Sequence, residues 1–182
     1  MKESLSNHTI KSHPHRYPAT GLLLAFWMLF QTGCGVYSFT GASIPPGTKT
    51  ISIAYFPNRA LMVQPTLSQR FTDALKDKFV SETSLDLVNE GGDMEIEGEI
   101  TQYIANPVAI QGNEQAALTR LSITVNVRFV NHLDEKSNFE TGFTRFQDYE
   151  STKNLADVED DLIDMINSEL VQDIFNKAVV NW

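Results

Sequence analysis

From Arg120 to Phe129 the chain alternates apolar and polar residues without a break. Leu121, Ile123, Val125, Val127 and Phe129 fall on one side, and Arg120, Ser122, Thr124, Asn126 and Arg128 on the other. A helix would scatter these apolar residues around its circumference, whereas a strand collects them on one face. Such clean alternation demands an antiparallel sheet covered on one face and wet on the other. Two further runs behave similarly. Met94, Ile96, Ile100 and Ile104 oppose Glu95, Glu97, Glu99 and Thr101. Around Phe139–Tyr149, Phe139 and Phe143 are in phase but Phe146 is not, a slip that a β-bulge near Arg145 accounts for.

The remaining segments supply a first strand and the cover. Lys49–Tyr55 places Ile51, Ile53 and Tyr55 on one side of a strand. Residues 59–65 read as a loop with Leu61, Met62 and Val63 exposed. Thr66-Leu-Ser-Gln69 has the pattern of a capping box. Leu67, Phe71, Ala74, Leu75 and Phe79 then recur at helical spacing to about Thr83. Leu85–Asn89 suits a short strand, and Gly91-Gly92 a turn. A second helix begins near Asn154, with the stripe Leu155, Val158, Leu162, Ile166, Leu170 and Ile174. Its first turns carry Asp157, Glu159, Asp160 and Asp161, the sign a helix N-terminus favours. The expected fold is α+β: an antiparallel sheet of about four strands with two helices packed on one face.

Ahead of this domain lies a different kind of segment. Gly21–Phe30 is ten residues without a charge, too short for a membrane-spanning helix of about 20 residues but suited to the apolar core of a signal peptide. Thr32-Gly33-Cys34 follows, and resembles a lipobox, in which cleavage before the cysteine exposes it for diacylglyceryl attachment. Gln31 departs from the aliphatic residue usual three positions before the cysteine. Cys34 is the single cysteine of the 182 residues, so an intramolecular disulfide is excluded and lipid attachment explains it. The expected organisation is a signal peptide over residues 1–33, a lipidated tether over 34–47 rich in Gly and Pro, and one domain over 48–182. Acyl chains on Cys34 would hold it to a membrane. Gly35 is not the aspartate that retains some lipoproteins at the inner membrane, and residues 35–40 lack an acidic surface-export cluster. Both favour the periplasmic face of the outer membrane.

Charge and motifs narrow the chemistry. The precursor's net charge of −9 becomes −11 once Lys2, Lys11, Arg16 and Glu3 of the leader are set aside. An acidic surface repels phosphate backbones, which argues against a nucleic-acid partner. No nucleophile elbow, metalloprotease helix or phosphate loop occurs, so no enzymatic activity, metal or cofactor is expected. His132 is the one histidine beyond the leader and reads as a solvated hairpin residue. Glu95, Glu97 and Glu99 share an exposed face and suit cross-strand charge pairs better than acid–base work. Arg120 and Arg128 are candidate contacts for the phosphates of an anionic lipid, because guanidinium forks match phosphate oxygens. The loop Asn106–Ala117 joins two long strands; Val108 and Ile110 on it are a candidate partner contact, or else fold back under the helices.

Several segments together resemble a known family. They are Cys34-Gly-Val-Tyr-Ser-Phe-Thr-Gly-Ala-Ser-Ile-Pro-Pro-Gly47 with Thr50–Ile53, Pro65–Phe79, Glu97–Thr101 and Ala109–Val125. In that order, behind a lipobox, they resemble the lipopolysaccharide-assembly lipoprotein family LptE in its Bacteroidota-type branch. The resemblance implies a sheet covered by two helices. It also implies a plug within the β-barrel LptD, aid to barrel assembly and delivery of lipopolysaccharide to the outer leaflet, with no covalent chemistry. Only Cys34 carries over, as the lipid site. The alternative is a stand-alone lipoprotein, facing the periplasm, that binds a glycolipid or other small ligand.

Overall fold

The computed structural model describes residues 44–108 and 118–180. Five strands and two long helices follow in the order β1 (Thr50–Ile53), α1 (Leu67–Glu82), β2 (Asp86–Val88), β3 (Met94–Val108), β4 (Leu118–Asn131), β5 (Phe139–Glu150) and α2 (Leu155–Val179). A single 3-10 turn, Glu135–Ser137, links β4 to β5. The strands lie side by side as β2-β1-β3-β4-β5.

The α+β fold with two helices on one sheet face is as expected, but the sheet is larger and mixed. β1 runs parallel to both β2 and β3, while β3, β4 and β5 are antiparallel. The parallel half follows from β1-α1-β2, where the helix carries the chain back so that β2 enters beside β1 in the same direction. The chain must then pass from one side of β1 to the other. It does so at Gly92, where a Cβ would come within 2.6 Å of the Ser52 nitrogen and 2.8 Å of the Ile51 carbonyl carbon. Only glycine permits that approach. Asp93 then ties the crossing down, accepting from the backbone amides of Lys49 at 2.8 Å and Thr50 at 3.0 Å.

The core lies between helices and sheet. Ile51, Ile53, Met94, Ile96, Ile100, Leu121, Ile123, Val125, Val127 and Phe129 meet Leu67, Phe71, Leu75 and Phe79 of α1 and Leu162, Ile166, Leu170 and Ile174 of α2. β4 alternates as its sequence demands, with Ile123 and Val125 buried and Asn126 and Arg128 exposed.

Four local expectations are corrected. β1 stops at Ile53, leaving Tyr55 exposed. Phe56 turns inward instead, to an edge-on contact with Phe71 at 5.1 Å. Gly98 makes room, since a Cβ there would stand 2.6 Å from the Phe56 ring. Second, the bulge falls in β3, not β5: register shifts between Ile100 and Gln102. The extra residue, Thr101, turns Tyr103 into the core and Ile104 out of it. Third, β5 pairs with β4 without interruption, so Phe146 keeps its phase and stays on the uncovered face while Arg145 faces α2. Fourth, no capping box forms. Thr66 has helical backbone angles, and its amide and hydroxyl both donate to Gln64 Oε1, at 2.7 and 3.0 Å. Gln69 bonds to Asp73 instead.

The uncovered sheet face as candidate functional site

β3, β4 and β5 expose one broad face opposite the helices. Strand period dictates its composition: the outward residues of β4 are Arg120, Ser122, Thr124, Asn126 and Arg128. In the register each lies between a residue of β3 and one of β5. Thr124 stands 2.9 Å from the Thr144 hydroxyl and 3.2 Å from Gln102 Oε1. Arg128 lies opposite Glu97 and Glu140 and pairs with Glu97 at 2.5 Å. Glu99 meets Arg59 at 3.9 Å, and Glu95 meets His132 at 3.6 Å. Glu97 thus serves cross-strand pairing, as expected, while the partners of Glu99 and Glu95 lie outside the strands: Arg59 follows β1, and His132 sits in the β4–β5 turn. A shallow groove of about 430 Å³ runs over this end of the face, bordered by Tyr55, Glu97, Glu99, Asn126, Arg128 and Glu140.

The opposite end of the face is built around Arg120. Its Nε and Nη2 donate to the two carboxylate oxygens of Asp148 at 2.7 and 2.9 Å. Its guanidinium carbon lies 3.6 Å from the centre of the Phe146 ring. The forked hydrogen bond raises the Arg120 pKa and holds the Asp148 carboxyl below its ordinary range. Arg120 and Arg128 are eight residues apart along one strand, roughly 25 Å at the usual rise. The structure does not bring them together, and each already holds a carboxylate.

The other candidate residues are placed as follows. Val108 closes β3 opposite Leu118, so it belongs to the strand pair and not to the loop that follows. Ile110 and Cys34 lie outside the described residues. Sequence reading missed the Phe146–Arg120–Asp148 cluster, although its signal was present. Phe146 standing out of phase marked an aromatic on the wet face, not a slipped register. It also missed Arg145, which straps β5 to α2 through Asp173 at 2.6 Å and Glu169 at 3.7 Å.

Among the described residues no helix is long and apolar enough to cross a membrane, and no group of His, Cys, Asp and Glu is arranged to hold a metal ion. The face offers hydrogen-bonding and charged groups already paired with one another. Such a face is suited to contact.

A family model described as LptE, lipopolysaccharide-assembly, matches residues 48–178. The chain belongs to the LptE family. Its role is therefore in lipopolysaccharide assembly, and the LptE family is not enzymatic. Solved structures of similar fold include a hypothetical protein of Chlamydia trachomatis, at 12% identity and a TM-score of 0.51, covering 74% of this chain and 99% of that one. A minor lipoprotein of Acinetobacter baumannii matches at 15% identity and a TM-score of 0.48, covering 71% of this chain and 91% of that one. An uncharacterized lipoprotein B from Nitrosomonas europaea matches at 16% identity and a TM-score of 0.45, covering 73% and 82%. At these identities the likeness concerns the fold alone. No curated protein matches this LptE chain by sequence.

Proposed function

We propose that this LptE chain is the lipid-anchored subunit of an outer-membrane lipopolysaccharide translocon. In this reading the signal peptide is removed, Cys34 carries the acyl chains, and the domain faces the periplasm. It enters an LptD-type β-barrel as a plug, assists the barrel's assembly and serves delivery of lipopolysaccharide to the outer leaflet. One observation carries the proposal: among the described residues, two helices roof one face of the sheet and no element covers the other. The bare face presents Gln102, Thr124, Thr144, Asn126 and paired charges. A barrel lumen is polar, so an occupant needs such a hydrogen-bonding exterior. An acidic chain, net −11 beyond the leader, also limits indiscriminate attraction to anionic lipid.

Contact with lipopolysaccharide phosphates through Arg120 or Arg128 belongs to the same reading. It requires the guanidinium to exchange a carboxylate for a phosphate. Arg128 is better placed for this, because its partner Glu97 is a single-point contact and both side chains are more than half exposed.

The test is affinity purification of tagged, lipidated protein from envelopes in mild detergent. A β-barrel partner and lipopolysaccharide should co-purify in stoichiometric amounts. Recovery of the lipoprotein alone would favour a stand-alone binding protein.

A further inference from the structure

We propose that the β1–α1 loop, through Leu61, Met62 and Val63, is an apolar plug-in contact that seats in a pocket of the barrel partner bordered by basic side chains. This inference rests on the translocon reading and names a second surface, beside the uncovered sheet face, that meets the barrel.

Three consecutive apolar residues stand in solvent here: Leu61 is 103% exposed, Met62 40% and Val63 81%. Isolated exposed apolar residues are ordinary, but a run of them at a loop tip marks a contact. The exposure does not come from a loose loop. On one side Arg59 N–H donates to the Ile100 carbonyl at 2.8 Å, and Ile100 N–H donates to the Pro57 carbonyl at 2.9 Å, so the loop's root is sewn to β3. Ala60 N–H is held by Asn58 Oδ1 at 2.9 Å. On the other side Gln64 receives both donors of Thr66 and donates to Glu159 of α2 at 3.3 Å. Both roots are fixed and the apolar tip is held outward, so little ordering remains to be done on binding.

The surroundings select the occupant. Beside the loop, Pro65, Thr66 and Gln69 border a depression whose far wall is Asp160 and Asp164. Arg70, the basic residue of that depression, is already paired with both aspartates at 2.5 Å. Asp157 and Asp161 add further exposed carboxylates to the same helix turns. An apolar tip beside an acidic rim is unsuited to an anionic lipid surface, which the carboxylates repel. It complements an apolar pocket with lysine or arginine at its edge. The tip also lies at the end of the sheet away from Ile44, where the described chain begins: the loop is rooted at Ile100 and α2's first turns, whereas Lys49 and Thr50 meet Asp93 at the start of β3.

The experiment uses the full-length lipidated protein in cells. A photo-crosslinking amino acid is placed at position 61 and, as a comparison, at the exposed Val80 of α1. Separately, Leu61→Glu/Val63→Glu is tagged and purified beside the wild type. The expected result is a crosslink from position 61 to the barrel and at least tenfold less barrel co-purifying with the double variant, at unchanged Tm. If the wild type recovers no barrel, the translocon reading itself falls and this inference with it. If the wild type recovers the barrel and the double variant does so equally, the plug survives and the loop contact is wrong. A position-61 adduct with lipid in place of protein also overturns it.

Discussion

The Tyr103 hydroxyl donates to the Glu159 carboxylate, joining the middle of β3 to the first turns of α2. The contact exists because the bulge at Thr101 turns Tyr103 inward, where its ring is buried and its oxygen reaches the helix. Burial, then the hydrogen bond to Glu159, pushes the Tyr103 pKa far above the ordinary phenol range. Tyr103→Phe keeps the ring and removes the donor. The expected cost is about 1.5–3 kcal/mol, the range for a hydrogen bond to a charged group, toward the lower end because the acceptor retains another partner. Glu159 keeps Gln64. A pH signature accompanies it. The folded-state pKa is raised, so this stabilisation is complete below the phenol's unfolded value of about 10 and is lost as pH climbs above it. Urea denaturation at neutral and strongly alkaline pH should show the wild type losing its margin over Tyr103→Phe.

At the opposite end of β3, Asp93 gives the mirror-image dependence. Its carboxylate accepts from the amides of Lys49 and Thr50 and from the Thr50 hydroxyl, which hold its pKa below the usual carboxylate range. A depressed pKa contributes stability above the unfolded value of about 3.9, and that stability is lost as pH falls through the folded value. Asp93→Asn should lower Tm by a few degrees at neutral pH. It should also flatten the acid limb of the Tm–pH curve, since the titrating group is gone. An unchanged acid limb would place that dependence elsewhere.

Gly98 and Gly142 flank β4 at the same level, yet they should tolerate alanine very differently. A Cβ on Gly98 would lie 2.0 Å from the Asn126 carbonyl oxygen and 2.6 Å from the Phe56 ring. Backbone cannot step aside, so the strand pair or Phe56 must shift. Gly98→Ala should cost about 3 kcal/mol or more, at the upper end of overpacking effects. At Gly142 the nearest atom is the Asn126 side-chain oxygen at 3.1 Å, which can rotate away into solvent. Gly142→Ala should stay within about 0.5 kcal/mol of the parent, as surface substitutions do. Chemical denaturation of the two variants, in parallel, measures the contrast.

How much of this was legible depended on whether one residue type could sit in only one place. Ile123 and Val125 alternate with Thr124 and Asn126, and one register alone buries the first pair, so β4 could be read directly. The helical stripes of α1 and α2 were equally readable. In β3, Tyr103 and Ile104 are adjacent and both apolar, so nothing in their chemistry announced which would turn inward, and the bulge at Thr101 stayed hidden. Phe146 misled for the converse reason: an aromatic on a wet face looks like a phase error until Arg120 is seen stacked on it. The parallel pairing of β1 depends on a crossing at Gly92 that a four-residue strand cannot signal. The site was legible as a polar face but not as a set of pairs, because Arg120–Asp148 and Arg59–Glu99 join residues far apart in sequence.

The proposed anchor can be tested apart from the fold, because the core formed by the described residues begins beyond it. Its buried apolar residues run from Ile51 to Val179, and its flanking partner Ile44 lies beyond the proposed lipid site. Cys34→Ala should therefore leave the domain's Tm and far-ultraviolet spectrum unchanged while abolishing acylation. Two or more acyl chains give stable membrane attachment, so their loss should move the protein from the membrane pellet to the soluble fraction. Barrel binding could retain part of it, and combining Cys34→Ala with Leu61→Glu/Val63→Glu separates the two holds. The single Cys34 variant should remain partly with envelopes wherever the barrel is present, and the triple variant should be fully soluble. Persistent labelling of Cys34→Ala by a radiolabelled fatty acid would show that lipid is attached elsewhere and refute the anchor at this position.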